Sequence, residues 1–143
     1  SNLKEILSKY KNIAMVGVSN DPTKASTIVM KYMQTYGFKV FPVNPKAKGQ
    51  KILGELVFEK ITDIKDKVDI VDVFRPSKEA LGIAEDTVKI GAKVLWLQLG
   101  IRDENAKELV EKNHIEYVEN KCTKMEYQKH FLKVRQAFPV LSD

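Results

Sequence analysis

The chain has 143 residues, of which 43% are hydrophobic and 30% charged, and its formal net charge is +5. These values fit one globular domain over residues 1–143 and argue against a disordered chain. No apolar run approaches the roughly 18 residues of a membrane span, and lysines alternate with acidic residues, so we expect neither membrane nor nucleic-acid binding.

Apolar runs alternate with amphipathic segments along the chain. An N-terminal helix is predicted over Leu3–Tyr10, and strands are predicted at Ile13–Val18, Phe38–Val43, Gly54–Phe58, Val68–Phe74, Lys93–Gly100 and Ile115–Val118. Intervening helices are predicted with Ser26, Ser77 and Asp103 as their N-caps, and a last helix is predicted from about Thr123. This order predicts an α/β fold with a doubly wound, mainly parallel sheet of five or six strands and helices on both faces.

Two loops are expected to meet at one edge of this sheet. In the strand order 3-2-1-4-5-6, the strands Ile13–Val18 and Val68–Phe74 are neighbours where the order reverses. Ligands of open α/β sheets bind outside the carboxyl ends of the strands at that point. The loops after Val18 and after Phe74 are therefore the first candidates for a binding site.

The loop after the first strand has the character of a phosphate-binding turn. Gly17 permits a tight turn and a close backbone approach, Ser19 and Ser26 carry hydroxyls, and Lys24 carries a positive charge. Ser19 stands where the NAD fingerprint has its second glycine, and the phosphate-loop pattern of NTPases is absent. The turn predicts an anionic ligand other than NAD.

The end of the second strand narrows the choice of ligand. NAD-binding proteins place a carboxylate there to bind the ribose diol, whereas this chain has Val43, Asn44, Pro45 and Lys46. We therefore expect a pocket without acidic side chains that suits a nucleotide with an additional phosphate on its ribose. NADP and coenzyme A both have this chemistry.

Several motifs in this order resemble one family. "IAMVGVS", "VFPVNP", "LGE", "VDIVDVFRPSKEA", "IGAKVLWLQLGI" and "CTKMEY" together resemble the small stand-alone CoA-binding domain proteins. That family is similar to the N-terminal nucleotide-binding domain of the succinyl-CoA synthetase α subunit. The resemblance extends from Ile13 to Tyr127 and implies a Rossmann-like fold that binds coenzyme A. Family members usually have a histidine where this chain has Tyr127.

The resemblance also implies which residues contact the cofactor. They are Gly17, Val18, Ser19, Lys24, Ser26, Val43, Asn44, Pro45, Phe74, Arg75 and Pro76. Side-chain chemistry agrees with this set, since Phe74 can pack on adenine or on the pantetheine arm and Arg75 can bind a phosphate with two donors. Lys24 or Lys46 can meet the 3′-phosphate.

Four further residues are candidates for a structural or a functional role. Trp96 is predicted to lie in the core, and Asp72 is predicted to form a hydrogen bond with a loop. Gln98 is expected to bond either a ligand or a loop.

The single cysteine, Cys122, suits a reducing compartment, and we expect a cytoplasmic protein. Cys122 is either an inert thiol or one that forms a mixed disulfide with CoA, and the two separated histidines make no zinc pattern.

The expected function is binding of coenzyme A or an acyl-CoA without catalytic machinery of its own. Two alternatives remain open at this point: a small NADP-linked reductase, and a redox module acting through Cys122. An edge strand also leaves a homodimer open.

Overall fold

A computed structural model describes residues 2–133. The strands are β1 (Asn12–Val16), β2 (Lys39–Val43), β3 (Lys51–Ile52), β4 (Glu55–Leu56), β5 (Ile70–Val73), β6 (Val94–Leu97) and β7 (Glu116–Val118). The α-helices are α1 (Leu3–Lys9), α2 (Ala25–Thr35), α3 (Ala80–Ile90), α4 (Glu104–Lys112) and α5 (Thr123–Tyr127). Helix α5 continues into a π-helical turn over Gln128–Leu132, and short 3-10 turns lie at Pro45–Ala47, Ile61–Asp63 and Ser77–Glu79.

Within the described residues the main sheet is parallel throughout, in the order β2-β1-β5-β6-β7. Strand β1 lies where the strand order reverses, between β2 and β5. Its last residue, Val16, pairs with Val43 on one side and with Val73 on the other. The carboxyl ends of three strands are therefore level with one another. The predicted α/β fold and the predicted neighbourhood of β1 and β5 are confirmed.

Helices cover both faces of the sheet. Alternate residues of β1 point to opposite sides, so that Met15 packs in a core with α1, α2 and α5, and Ala14 packs in a core with α3 and α4. Trp96 is fully buried in the first of these cores, as predicted. This period of two along each buried strand is what divides the apolar side chains between the two layers.

The strand predicted at Gly54–Phe58 is wrong in its extent. The chain turns back at Leu53 and Gly54, which both have positive φ, and β3 and β4 form a separate antiparallel hairpin. Only Phe58 pairs with the main sheet, where it bridges Val43. Pro42 accepts a hydrogen bond from the Phe58 N–H on this edge but has no N–H to return, which prevents a longer ladder.

Two of the three predicted helix caps are also wrong. Asp103 caps α4, since its side chain accepts the Ala106 N–H at 2.8 Å. Ser26 instead lies inside α2, which begins at Ala25, and Ser77 begins the 3-10 turn before α3 and accepts the Arg102 N–H. The Ser26 hydroxyl accepts the Ser19 N–H of the preceding turn, whereas the partner of Ser77 lies in the loop before α4.

Candidate functional site

The loops after β1 and β5 meet as expected. The Phe74 N–H donates to the Val16 carbonyl at 2.9 Å, and the Gly17 N–H donates to the Val43 carbonyl at 2.8 Å. These bonds extend the sheet by one residue and bring the first residues of three loops side by side. Gly17 has φ +93°, a conformation that favours glycine, and it ends β1 there.

A crevice of about 310 Å³ opens at this edge, between the ends of β1 and β2 and the helix α3. Its apolar floor consists of Val16, Val43, Ile61 and Ile83. The remaining lining residues are Gly17, Asn44, Pro45, Lys46, Glu59, Lys60, Arg75, Glu79 and Asp86. This volume is at the lower end of the range of small-molecule pockets, roughly 300–1,000 Å³.

The crevice brings together half of the predicted contact residues. Gly17, Val43, Asn44, Pro45, Lys46 and Arg75 line it. Val18 is fully buried in the core, and Phe74 packs half-buried on the opposite face of the sheet, in the layer that contains α2 and α5. Pro76 is exposed before the 3-10 turn that leads into α3.

The turn between β1 and α2 is held by its own side chains. Ser26 Oγ accepts the Ser19 N–H at 3.0 Å, and Thr27 Oγ1 donates to the Ser19 carbonyl at 2.6 Å. Hydrogen bonds from Thr23 lower the pKa of Asp21, whose carboxylate closes the tip of the turn. Lys24 is exposed at the N-terminus of α2 and makes no side-chain cap. Ser19 and Ser26 are thus engaged with each other in this structure.

Asn44 ties the second strand to this turn. Its Nδ2 donates to the Val18 carbonyl at 2.9 Å, and its Oδ1 accepts the Lys46 N–H at 2.9 Å. Because both ends of the amide have partners, Asn44 positions the walls of the crevice. The Lys46 side chain extends from the same segment and is exposed at the mouth.

Arg75 lies across Gly17 and is paired with Glu79. Its Nε is 3.1 Å from Glu79 Oε1 and its Nη2 is 2.7 Å from Glu79 Oε2. These two hydrogen bonds lower the pKa of Glu79 and raise that of Arg75. The guanidinium predicted to bind phosphate therefore already has one carboxylate partner.

The expectation of a pocket without acidic side chains is wrong. Glu59, Glu79 and Asp86 line the crevice. Glu79, Ile83 and Asp86 have the spacing of one helical face, which continues from Arg75. This helical spacing could have predicted the acidic residues of α3 from the sequence. Glu59 could not be predicted in this way, because it follows an irregular segment where a regular strand was expected.

The basic residues of the crevice differ in their pairing. Arg75 forms an ion pair with Glu79. Glu59 is paired with Lys48, which does not line the crevice, at 3.2 Å. Lys46 and Lys60 have no carboxylate within 4.0 Å among residues 2–133. Sequence reasoning missed Lys60. These two ammonium groups are the cations of the mouth that an anionic ligand meets without displacing an internal partner.

A buried polar cluster lies on the other face of the sheet. Asp72 is fully buried, and its two oxygens accept hydrogen bonds from Gln98 Nε2 at 2.6 Å and from Thr123 Oγ1 at 3.0 Å. Desolvation raises the pKa of Asp72 to about 7, although both hydrogen bonds oppose the shift. The predicted structural bonding of Asp72 is confirmed, and Gln98 has this carboxyl group and Thr123 as its partners.

Cys122 adjoins this cluster at the start of α5. The thiol is buried, and burial raises its pKa, as does the nearby Asp72 carboxylate. Backbone N–H groups of Met125 and Lys124 act in the opposite direction. Among the described residues, no group of three or more His, Cys, Asp or Glu side chains is arranged to hold a metal ion. No helix in this part of the chain is long and apolar enough to cross a membrane.

A match to a known protein family covers most of the chain. A family model of the CoA binding domain matches residues 11–128. The chain belongs to the CoA-binding domain family. The resemblance drawn from the sequence motifs is thereby confirmed.

Three similar proteins illustrate the range of this family. The uncharacterized protein YneT of Bacillus subtilis is 34% identical over 87% of this chain and 91% of its own length. The α subunit of the ADP-forming acetate–CoA ligase I of Pyrococcus furiosus is 32% identical over 64% of this chain but only 21% of its own length. A solved hypothetical protein from Pyrococcus horikoshii is 36% identical, with a TM-score of 0.86 over 90% of this chain and 89% of that one.

Proposed function

We propose that this protein binds coenzyme A or an acyl-CoA in the crevice beside β1 and β2. One observation carries the proposal: a chain of the CoA-binding domain family has a crevice with an apolar floor where its strand order reverses, and Lys46 and Lys60 line that crevice with no carboxylate partner among residues 2–133. We expect this to occur in a reducing compartment such as the cytoplasm.

The adenosine end of CoA suits the crevice. The floor of Val16, Val43, Ile61 and Ile83 offers aliphatic surface to a flat aromatic base. A volume of about 310 Å³ suits a nucleoside rather than the whole cofactor, so the pantetheine arm would run outside the crevice. Phe74, half-buried on the other side of the β1 and β5 ends, is a candidate contact for that arm.

The phosphates would meet separate groups of donors. Arg75 lies over Gly17, where the diphosphate approaches the turn, while Lys46 and Lys60 suit the 3′-phosphate on the ribose. We propose binding without a reaction, since the described lining residues include no serine, threonine, cysteine or histidine from which a nucleophile and its general base are most often built.

Isothermal titration with CoA, dephospho-CoA, ADP, NADPH and NADH tests the proposal. We expect CoA to bind more tightly than dephospho-CoA, because only CoA carries the 3′-phosphate. Replacing Lys46 or Lys60 by glutamine should weaken CoA binding by about two- to tenfold and leave dephospho-CoA nearly unchanged.

Lys112→Gln is the matched control, since Lys112 lies at the end of α4, at the opposite edge of the sheet. It should bind both ligands as the wild type does. Binding of NADPH in place of CoA, or no CoA binding at sub-millimolar concentrations, would overturn the proposed function.

A further inference from the structure

The Arg75 side chain is fixed at two points. Its stem lies against Gly17, where an added methyl group would be only 2.8 Å from Arg75 Cδ and 3.2 Å from Cγ. Its guanidinium is bound by Glu79 through Nε at 3.1 Å and Nη2 at 2.7 Å. Contacts at the stem and at the head restrict the rotation of this long side chain.

Glu79 occupies only one edge of the guanidinium. An arginine has five N–H donors, and the bonds to Glu79 use one on Nε and one on Nη2. Within the described residues Arg75 makes no other side-chain hydrogen bond. Both hydrogens of Nη1 and the second hydrogen of Nη2 remain, and together they form another edge suited to two oxygens of a phosphate.

We propose that Glu79 is a positioning residue that holds Arg75 across Gly17 and presents the outer guanidinium edge to the diphosphate of the ligand. This inference rests on the proposed CoA-binding function and assigns Glu79 a role in it. A carboxylate that lines an anion-binding crevice would otherwise only oppose binding, since it adds a negative charge beside the phosphates.

Two effects of Glu79 compete, and their magnitudes decide the sign. Arg75 and Glu79 are 47% and 38% exposed, so water and salt screen the repulsion between the carboxylate and a bound phosphate. The same screening weakens the attraction between Glu79 and Arg75, but their two hydrogen bonds act at 3.1 and 2.7 Å and the Arg75 stem packs on Gly17, so part of the cost of ordering Arg75 is met before the ligand binds. We therefore expect Glu79 to favour binding.

Titration of Glu79→Gln with CoA and with ADP tests the inference, since ADP carries a diphosphate but no 3′-phosphate. A glutamine keeps one acceptor but cannot bind both donors of the fork. We expect binding of both ligands to weaken by about two- to fivefold. Glu85→Gln is the matched control, because Glu85 is an exposed carboxylate on the same helix that does not line the crevice. It should leave binding of both ligands unchanged.

The same substitution in an Arg75→Lys background separates positioning from a general structural effect. Lysine keeps the charge but has no planar fork to orient. Glu79→Gln should therefore no longer weaken binding there, whereas a structural defect would weaken it in both backgrounds. Tighter or unchanged ligand binding by Glu79→Gln alone would overturn the inference.

Failure of the proposed function gives a different result. If the wild type binds ADP but not CoA, the function is wrong, and the Glu79 series still decides the positioning role through ADP. If the wild type binds neither ligand, both the function and the inference are overturned.

Discussion

The side-chain amide of Asn44 binds the backbone carbonyl of Val18 across 2.9 Å and so joins the end of β2 to the turn after β1. Its oxygen receives the Lys46 N–H on the other side. A carboxylate at this position, as in NAD-binding proteins, would lack the N–H that the Val18 carbonyl requires. Asn44 therefore has a structural role that does not depend on contact with a ligand.

Asn44→Asp is expected to destabilise the protein. The substitution keeps the acceptor for Lys46 but places a charged oxygen against the Val18 carbonyl, leaving that carbonyl without its donor. We expect a loss of about 1–3 kcal/mol in the free energy of unfolding, measured by urea denaturation. Asn20→Asp is the control, since Asn20 is exposed and its one side-chain hydrogen bond within residues 2–133 goes to Gln50, and it should change stability by less than about 0.5 kcal/mol. Equal effects of the two substitutions would contradict the assigned role of Asn44.

The location of the site was predictable because it depends on chain order. Apolar runs separated by helical segments imply parallel strands, and parallel strands place the ends of β1 and β5 together. Gly17 and Arg75 could therefore be assigned to one site although 58 positions separate them in the sequence.

The partners of the site residues were not predictable in the same way. Ser19 and Ser26 bind each other, and Asn44 binds Val18, because side-chain geometry places those atoms within hydrogen-bond distance. The identity of a polar residue in a loop does not show whether its side chain binds a ligand or a neighbouring residue. Only the acidic wall of α3 left a periodic signal, through Glu79 and Asp86.

Gly17→Ala is expected to destabilise the protein more than Gly37→Ala. Both glycines have φ +93°, so both substitutions cost about 1–2 kcal/mol of backbone strain. At Gly17 the new methyl group would also lie 2.8 Å from Arg75 Cδ and 3.3 Å from the Phe74 carbonyl carbon, while at Gly37 nothing lies within 4 Å. We expect about 1–3 kcal/mol of additional loss at Gly17, measured by thermal and urea unfolding.

A double variant identifies the source of that additional loss. Adding Arg75→Ala to Gly17→Ala removes the stem that the methyl group meets, so part of the additional loss should be recovered. Full additivity of the two substitutions would show that Arg75 does not pack on Gly17.

Asp72 is expected to make stability fall as pH rises. Its pKa is raised from 3.8 to about 7 in the folded protein, which corresponds to roughly 4 kcal/mol at about 1.4 kcal/mol per pKa unit. Below about pH 4 the Asp72 carboxyl is protonated in both the folded and the unfolded protein, so its burial carries no charge and costs no stability from ionisation. Between that pH and about 7 the unfolded chain releases the proton while the folded protein retains it, so the free energy of unfolding decreases and then levels off.

Asp72→Asn isolates this contribution. The asparagine side chain is neutral at every pH and keeps an acceptor for Gln98. The stability of the wild type relative to Asp72→Asn should therefore decline between about pH 4 and 7, as measured by urea denaturation at each pH. A difference that does not change with pH would show that Asp72 titrates at its ordinary value.

Cys122 is expected to react slowly in the folded protein. The thiol is buried, and both burial and the Asp72 carboxylate raise its pKa, which reduces the thiolate that attacks disulfides and alkylating agents. We expect alkylation in native buffer to be at least about tenfold slower than in denaturant, with Cys122→Ser as the blank. Incubation with the disulfide of CoA should then give little adduct by intact-mass spectrometry. In Asp72→Asn the charge that raises the thiol pKa is gone, so alkylation near pH 8 should be faster than in the wild type. Equal rates in native and denaturing buffer, together with a full CoA adduct, would instead favour the redox alternative that the sequence left open.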